Sequence, residues 1–259
     1  MSGTVNCANC NAVVDPTHRF CGACGAPLPS QQRLDTPDGH AGTRQTTARL
    51  VRIQGLGDGA SYDVGAQPAV AGRVTGDIRF ADDPFISPRH AEFCIRDDRL
   101  FVQDLNSENG VFVRLREPTV LQDGDYFMAG EQLFEILTRP PEDSSEDTEY
   151  FGSMRPTEWA RMQQILEDGD HGLCRFLGHG TVSLGREGMD LDFPNDRFIS
   201  GRHCGLELRD GQVVLTDLGS RNGTYVRRFG ETELVDGDFV FLGRQLLRVD
   251  LASAAGGAS

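Results

Sequence analysis

The stretches "DLNSENGVFV" (Asp104–Val113) and "DLGSRNGTYV" (Asp217–Val226) are one turn written twice, with Glu108 in the first where the second has Arg221. Working outward from them, Arg73 and Arg186, His90 and His203, and Gly110 and Gly223 all stand 113 residues apart. The register holds without a gap from Gly72 to Leu137 against its second copy, with 27 of 66 positions identical. A match of that length marks duplication of a whole domain, not of a short structural unit.

The local pattern in both copies is strand. "GLELRDGQVVLTDL" (Gly205–Leu218) puts Leu206 and Leu208 before an Asp-Gly turn and Val213 and Leu215 after it. That is the alternation of a half-buried hairpin. "DGD" at 123–125 and 236–238 predicts a further hairpin in each copy, and Phe239, Phe241, Leu247, Val249 and Leu251 alternate near the C-terminus. Short strands with turns every ~8–12 residues predict an all-β sandwich for each copy. "TEWARMQQILEDG" (Thr157–Gly169) resists, because Trp159, Met162, Ile165 and Leu166 fall at helical spacing. The repeat sets it against "ARLVRIQG" (Ala48–Gly55), so a strand is expected there.

The chain of 259 residues has room for two ordinary domains and a small module. Hydrophobic residues make up 38%, enough for packed cores. No run approaches the ~18 apolar residues of a membrane span, and "MSGTVNCANC" lacks the regions of a signal peptide. A cytoplasmic address is expected, with no membrane contact. The formal net charge of −14 repels phosphate backbones, so nucleic-acid binding is not expected. Every basic side chain is arginine and none is lysine. Arginine supplies a fixed planar fork that matches phosphate.

Four of the seven cysteines lie within the first 24 residues, as "CANC" (Cys7, Cys10) and "CGAC" (Cys21, Cys24). Two C-x-x-C pairs across a short segment can close a tetrahedral thiolate site around zinc. Asn11 and Gly25 follow the second cysteine of each pair, and both types tolerate the left-handed backbone of a knuckle. So short a segment cannot bury enough surface to fold alone, and a metal would supply its stability. Two disulfides are the competing reading, disfavoured by a cytoplasmic address. The segment resembles the bacterial zinc ribbon, with "RFCGACGAPL" (Arg19–Leu28) similar to its second knuckle. Such a zinc is structural, because four thiolates leave no open position. Cys94, Cys174 and Cys204 stand alone in strand-like surroundings and are expected in cores.

The residues retained by both copies are not mainly apolar. "GR" (Gly185, Arg186), "SGRH" (Ser200–His203) and "SRNGT" (Ser220–Thr224) lie in turns between strands. Converging loops of arginine, serine and asparagine suit an anion with several acceptor oxygens, such as a phosphate. No enzyme constellation accompanies them. Ser200 and His203 have no orienting carboxylate or G-x-S-x-G elbow, and without lysine there is no G-x-x-x-x-G-K-[ST] loop. His203 reads as a brace for its loop.

Gly-Arg, then Ser-x-x-His, then Asn-Gly at these intervals resembles the forkhead-associated (FHA) domain. The likeness covers 48–139 and 159–251. It implies two eleven-stranded β-sandwiches in tandem, each able to bind phosphothreonine peptides through loops at one end. A small pocket that receives the threonine methyl group would set that preference. By this resemblance Arg186 and Ser200 hold the phosphate, with Arg202 nearby and Arg221 flanking it. Asn222 bonds the peptide backbone, and His203 and Gly223 brace the loop. In copy one Arg73, Ser87, Arg89 and Asn109 take those places, braced by His90 and Gly110, as a weaker second site. Glu108 there would repel a phosphate of charge about −2. Pro88 replaces Gly201 and cannot donate an N–H.

The expected order is a zinc ribbon at 1–28, a linker at 29–47 and the first, degenerate FHA domain at 48–139. An acidic linker at 140–158, the second FHA domain at 159–251 and a disordered tail at 252–259 follow. The resemblance implies a non-catalytic adaptor in Ser/Thr kinase signalling that binds phosphothreonine proteins, with copy two the main reader. Two alternatives stay open: a phosphorylation-independent scaffold, and a zinc-ribbon nucleic-acid regulator. Acidity and the lack of a basic cluster near the cysteines weigh against the second of these. Linker threonines Thr36, Thr43, Thr46, Thr47 and Thr148 would supply an intramolecular phospho-linker if a kinase modified one of them.

Overall fold

The computed structural model describes residues 5–7, 9–14, 21, 23–24, 46–55, 59–138, 151–154, 160–178 and 180–252. All regular elements among them are strands. The N-terminal segment has β1 (Val5–Asn6) paired antiparallel with β2 (Val13–Val14). Copy one contributes β3 (Thr47–Gln54), β4 (Ser61–Val64), β5 (Ala69–Gly72), β6 (Ile78–Arg79), β7 (Ala91–Arg96), β8 (Arg99–Asp104) and β9 (Val111–Arg114). It ends with β10 (Thr119–Leu121), β11 (Asp125–Ala129) and β12 (Gln132–Leu137). Copy two repeats the series as β13 (Arg161–Ile165), β14 (His171–Phe176), β15 (Thr181–Gly185), β16 (Leu191–Asp192), β17 (Cys204–Arg209), β18 (Gln212–Asp217) and β19 (Thr224–Arg228). Its last strands are β20 (Thr232–Leu234), β21 (Phe239–Leu242) and β22 (Gln245–Ala252).

The segment with helical spacing is β13, and its Met162 is fully buried. The Asp210-Gly211 turn carries both residues at positive φ, 51° and 74°, the geometry a two-residue hairpin needs. The "DGD" turns are different from the expected hairpins. Each joins strands of different sheets, β10 to β11 and β20 to β21. Gly124 at φ 80° and Gly237 at φ 83° turn the chain there, and the Gln122 N–H donates to Asp125 Oδ2 at 2.7 Å to hold the first corner. A corner of this kind moves the chain between layers of a sandwich.

The chain divides into two compact units, 1–113 with 228–259, and 114–227. The contiguous boundaries expected at 48–139 and 159–251 do not coincide with them. In unit one, one sheet runs β20-β8-β7-β5-β6, and the other layer runs β9-β21-β22-β3-β4. In unit two the layers are β10-β18-β17-β15-β16 and β14-β13-β12-β11-β19. Each sandwich therefore has ten strands among the described residues, where eleven were expected; β1 and β2 form a separate two-stranded sheet. The last three strands of each copy complete the sandwich begun by the other.

The cores record the same division. Leu234, Val240, Leu242, Leu247 and Val249 pack with Leu50, Phe93, Leu100 and Val113 in unit one. Leu121, Phe127, Phe134 and Ile136 pack with Met162, Leu184, Leu206 and Leu215 in unit two. Matching apolar alternation in the two copies lets either tail fill either head. Cys204 is in a core, but Cys94 is half-buried and Cys174 is exposed, because β14 is an edge strand with all six residues facing solvent.

Candidate functional site

Gly185 ends β15 where a Cβ would collide with the Gly201 carbonyl, so only glycine allows the loop to come this close. The next residue, Arg186, donates its N–H to the Ser200 carbonyl at 2.9 Å. Its Nη2 donates to the Ile199 carbonyl at 2.6 Å and the Arg197 carbonyl at 3.2 Å, anchoring an exposed guanidinium beside Ser200. Ser200 Oγ accepts the Arg221 N–H at 2.9 Å, which orients the hydroxyl and leaves its O–H to donate. Asn222 Nδ2 donates to the Phe198 carbonyl at 2.7 Å. These bonds gather Arg186, Ser200, Arg221 and Asn222 in one loop cluster, and exposed Arg202 lies two residues beyond Ser200.

His203 sits beneath the cluster with no solvent exposure. Its Nδ1 accepts the Ser200 N–H at 3.0 Å, and its Nε2 lies 3.1 Å from the Gly223 carbonyl. Burial holds its pKa below the ordinary 6.5, only partly offset by the Gly223 carbonyl. The ring is therefore neutral and protonated on Nε2, the tautomer both bonds require. Gly223, at φ 88°, donates its N–H to Ser220 Oγ at 2.9 Å.

Copy one builds the same frame. The Arg73 N–H donates to the Ser87 carbonyl at 3.0 Å, and its Nε donates to the Ile86 carbonyl at 3.1 Å. His90 Nδ1 accepts the Ser87 N–H at 3.1 Å, and Nε2 lies 2.9 Å from the Gly110 carbonyl. Ser87 Oγ accepts the Glu108 N–H at 3.1 Å, and Asn109 Nδ2 donates to the Phe85 carbonyl at 2.8 Å. Arg89 is exposed. Pro88 is accommodated, with its carbonyl accepting the Thr75 N–H at 3.1 Å. The two clusters differ in the charge at the tip, carboxylate at 108 against guanidinium at 221.

Sequence reasoning missed the carboxylates that hold these loops. Asp217 accepts the Gly219 and Ser220 N–H groups at 2.9 and 2.8 Å and the Ser220 and Thr224 hydroxyls at 2.6 and 2.7 Å. Burial pushes its pKa up, but those four donors outweigh burial and hold it below the ordinary 3.8. Asp83 and Asp196 are buried and brace the segments leading to Ser87 and Ser200. Both positions are aspartate in each copy, Asp83 with Asp196 and Asp104 with Asp217, which is the signal that could have found them.

At the N-terminus the Sγ atoms of Cys7, Cys10, Cys21 and Cys24 all lie within 4.8 Å of one another. Separations of 3.7 Å (Cys7–Cys24) and 3.5 Å (Cys10–Cys21) are far beyond a disulfide bond. They are close to the ~3.8 Å edge of a tetrahedron of thiolates about 2.3 Å from zinc. Asn11 has φ 59°, as a knuckle requires, and Asn9 Nδ2 donates to Cys24 Sγ at 3.5 Å. Gly25 lies outside the described residues. The four cysteines can hold a metal ion.

The family model described as FHA domain matches residues 70–130 and 182–243. An oxoglutarate dehydrogenase inhibitor of Corynebacterium jeikeium is 36% identical over 98 residues, covering 37% of this chain and 67% of that protein. The glycogen accumulation regulator GarA of Mycolicibacterium smegmatis is 34% identical over 110 residues, covering 41% and 69%. Among solved structures, the FHA domain of an Arabidopsis thaliana hypothetical protein aligns with 86% of this chain and 100% of its own at 14% identity, with a TM-score of 0.36.

Proposed function

Because the chain belongs to the FHA-domain family, we propose that it is a non-catalytic adaptor that captures phosphothreonine in proteins modified by a Ser/Thr kinase. The observation that carries this reading is the loop cluster around Ser200. A hydroxyl held to donate, a guanidinium anchored beside it and a second arginine at the tip suit a dianionic phosphate. The Asn222 side-chain oxygen remains to accept a peptide N–H. Relatives named as an inhibitor and a regulator agree with binding and not turnover.

Copy two is the main reader in this proposal. Both frames carry the same serine, histidine and asparagine bonds, so the difference rests mainly on Glu108, whose carboxylate opposes a phosphate that Arg221 would attract. The four N-terminal cysteines hold a structural zinc, and the protein works in the cytoplasm. Of the threonines expected in the linkers, Thr46 is described and Thr47 begins β3, paired with Ala252, while Thr36, Thr43 and Thr148 lie outside the described residues. Those outside the strand, once phosphorylated, would compete with outside peptides for the same loops.

The test is calorimetry on the full chain with a phosphothreonine peptide and its unphosphorylated twin. Arg186→Ala should lose ~1.5–3 kcal/mol, the value of hydrogen bonds to a charged group. Equal binding by the parent and the variant would remove Arg186 from the site. Equal binding of the two peptides would favour the phosphorylation-independent scaffold.

A further inference from the structure

We infer that the two copies exchange their C-terminal strands within one chain, so that each Ser-bearing loop is positioned by a hairpin of the other repeat. In unit one, Asp83 Oδ1 accepts the Phe85 N–H at 3.0 Å. Its Oδ2 accepts the Arg244 N–H at 2.9 Å and Gln245 Nε2 at 2.7 Å, both from copy two. A Cβ on Gly243 would lie 2.6 Å from Ile86 Cγ1, so that turn seats directly against the residue before Ser87. Unit two mirrors this. Asp196 Oδ2 accepts the Glu131 N–H at 2.7 Å and Gln132 Nε2 at 2.9 Å, while Oδ1 accepts the Phe198 and Ile199 N–H groups at 2.8 and 3.1 Å. Gln132 thus positions the loop of Ser200, and Gln245 that of Ser87.

The exchange also divides the largest buried rings between the two cores. Phe93, Phe127 and Phe134 are the fully buried phenylalanines among the described residues. Their counterparts one repeat later are Leu206, Val240 and Leu247. With tails exchanged, Phe127 and Phe134 stack at 5.0 Å in a core where Leu206 holds the place of Phe93. Phe93 in turn meets Val240 and Leu247. Contiguous folding would put all three rings in one core, but the copy that carries them also has Ala69, Ala71, Ala91 and Ala129 where the other has Val182, Leu184, Cys204 and Leu242. The exchange therefore rests on the hydrogen bonds of Asp83 and Asp196 and not on core volume.

Two measurements on the full chain test this, the second resting on the phosphopeptide reading and the first independent of it. For the first, a protease site is placed in the acidic linker, and Cys7, Cys10, Cys21, Cys24, Cys94 and Cys174 are changed to Ser, leaving only the core thiol Cys204. Val120 faces Val214 across β10 and β18. Val120→Cys with Val214→Cys, joined by a short bis-maleimide and then cut in the linker, should run as one full-length species under denaturing conditions. The pair Val214→Cys with Glu233→Cys, which lies on one side of the cut and is read by mass mapping of proteolytic peptides, should not be joined. Linkage of 214 to 233, failure to link 120 to 214, or linkage only between two chains would each overturn exchange within the chain. For the second, Gln132→Ala should weaken phosphopeptide capture about tenfold in an Arg73→Ala background, where the Ser200 site is read alone. Gln245→Ala in that background should leave capture unchanged, and contiguous folding predicts the reverse. Correct linkage with no peptide binding by any variant would sink the adaptor reading alone; binding without the linkage would sink the exchange alone.

Discussion

At the scale of single residues, His203 shows how a buried ring sets a loop. Its Nδ1 can accept the Ser200 N–H only while unprotonated. In the unfolded chain the ring takes up a proton as the pH falls through about 6.5, whereas burial keeps the folded ring neutral to lower pH. The unfolded state binds more protons across that window, so stability is complete above it and falls as the pH drops below it. Asp217 stays ionised throughout, since its pKa lies below 3.8, and adds nothing to the fall. Thermal melts of the peptide-free chain should show a lower Tm at pH 5 than at pH 7.5, with a smaller drop in His203→Gln. An unchanged drop would assign the pH dependence to other groups. The arginines, serines, asparagines and histidines of both loop clusters were legible, because they recur in register. Asp83 and Asp196 recur equally, but an aspartate in a polar loop looks like any surface carboxylate until its partners are known.

At the scale of elements, period-2 alternation was the dependable signal. It placed Leu206, Leu208, Val213 and Leu215 facing inward across a turn of two left-handed residues. It was weaker at β13, where only the repeat decided against a helix, and at the Asp-Gly-Asp corners. There a turn signal cannot say whether the next strand pairs with the last or moves to the other layer. The cysteine knot is an element with almost no apolar support of its own, since its cluster holds the four cysteines with Ala12 and Val14. Its order should therefore depend on the metal. Protein purified under reducing conditions should contain about one zinc per chain, and chelation should erase the dispersed NMR signals of the N-terminal segment while sparing those of the sandwiches. Ordered signals from a metal-free sample would refute that dependence.

At the scale of the whole molecule, the architecture was legible and the connectivity was not. Eight of the 19 positions from 119 to 137 are identical one repeat later and the apolar alternation matches, so alternation fits a tail to either head. The buried positions of the tails differ in size in both directions, Phe127 and Phe134 against Val240 and Leu247 but Ala129 against Leu242, and size matters only once the packing partners are known. The division has a direct consequence for fragments. Residues 114–227 are one contiguous unit, whereas 159–251 pairs a head with the tail of the other sandwich. Expressed alone, 114–227 should melt cooperatively and give a dispersed spectrum, and 159–251 should be markedly less stable. The opposite ranking would argue for contiguous folding. Unit two, in which a tail precedes its head, is in effect a circular permutant inserted into unit one. Its gene therefore has an uncommon tolerance. Recombination between the repeats that excised 115–227 would join Arg114 to Arg228 and leave unit one whole, with Ser87 still supported by the Gln245 hairpin. The duplication could be lost in a single genetic event without any surviving strand having to find a new neighbour within its sandwich.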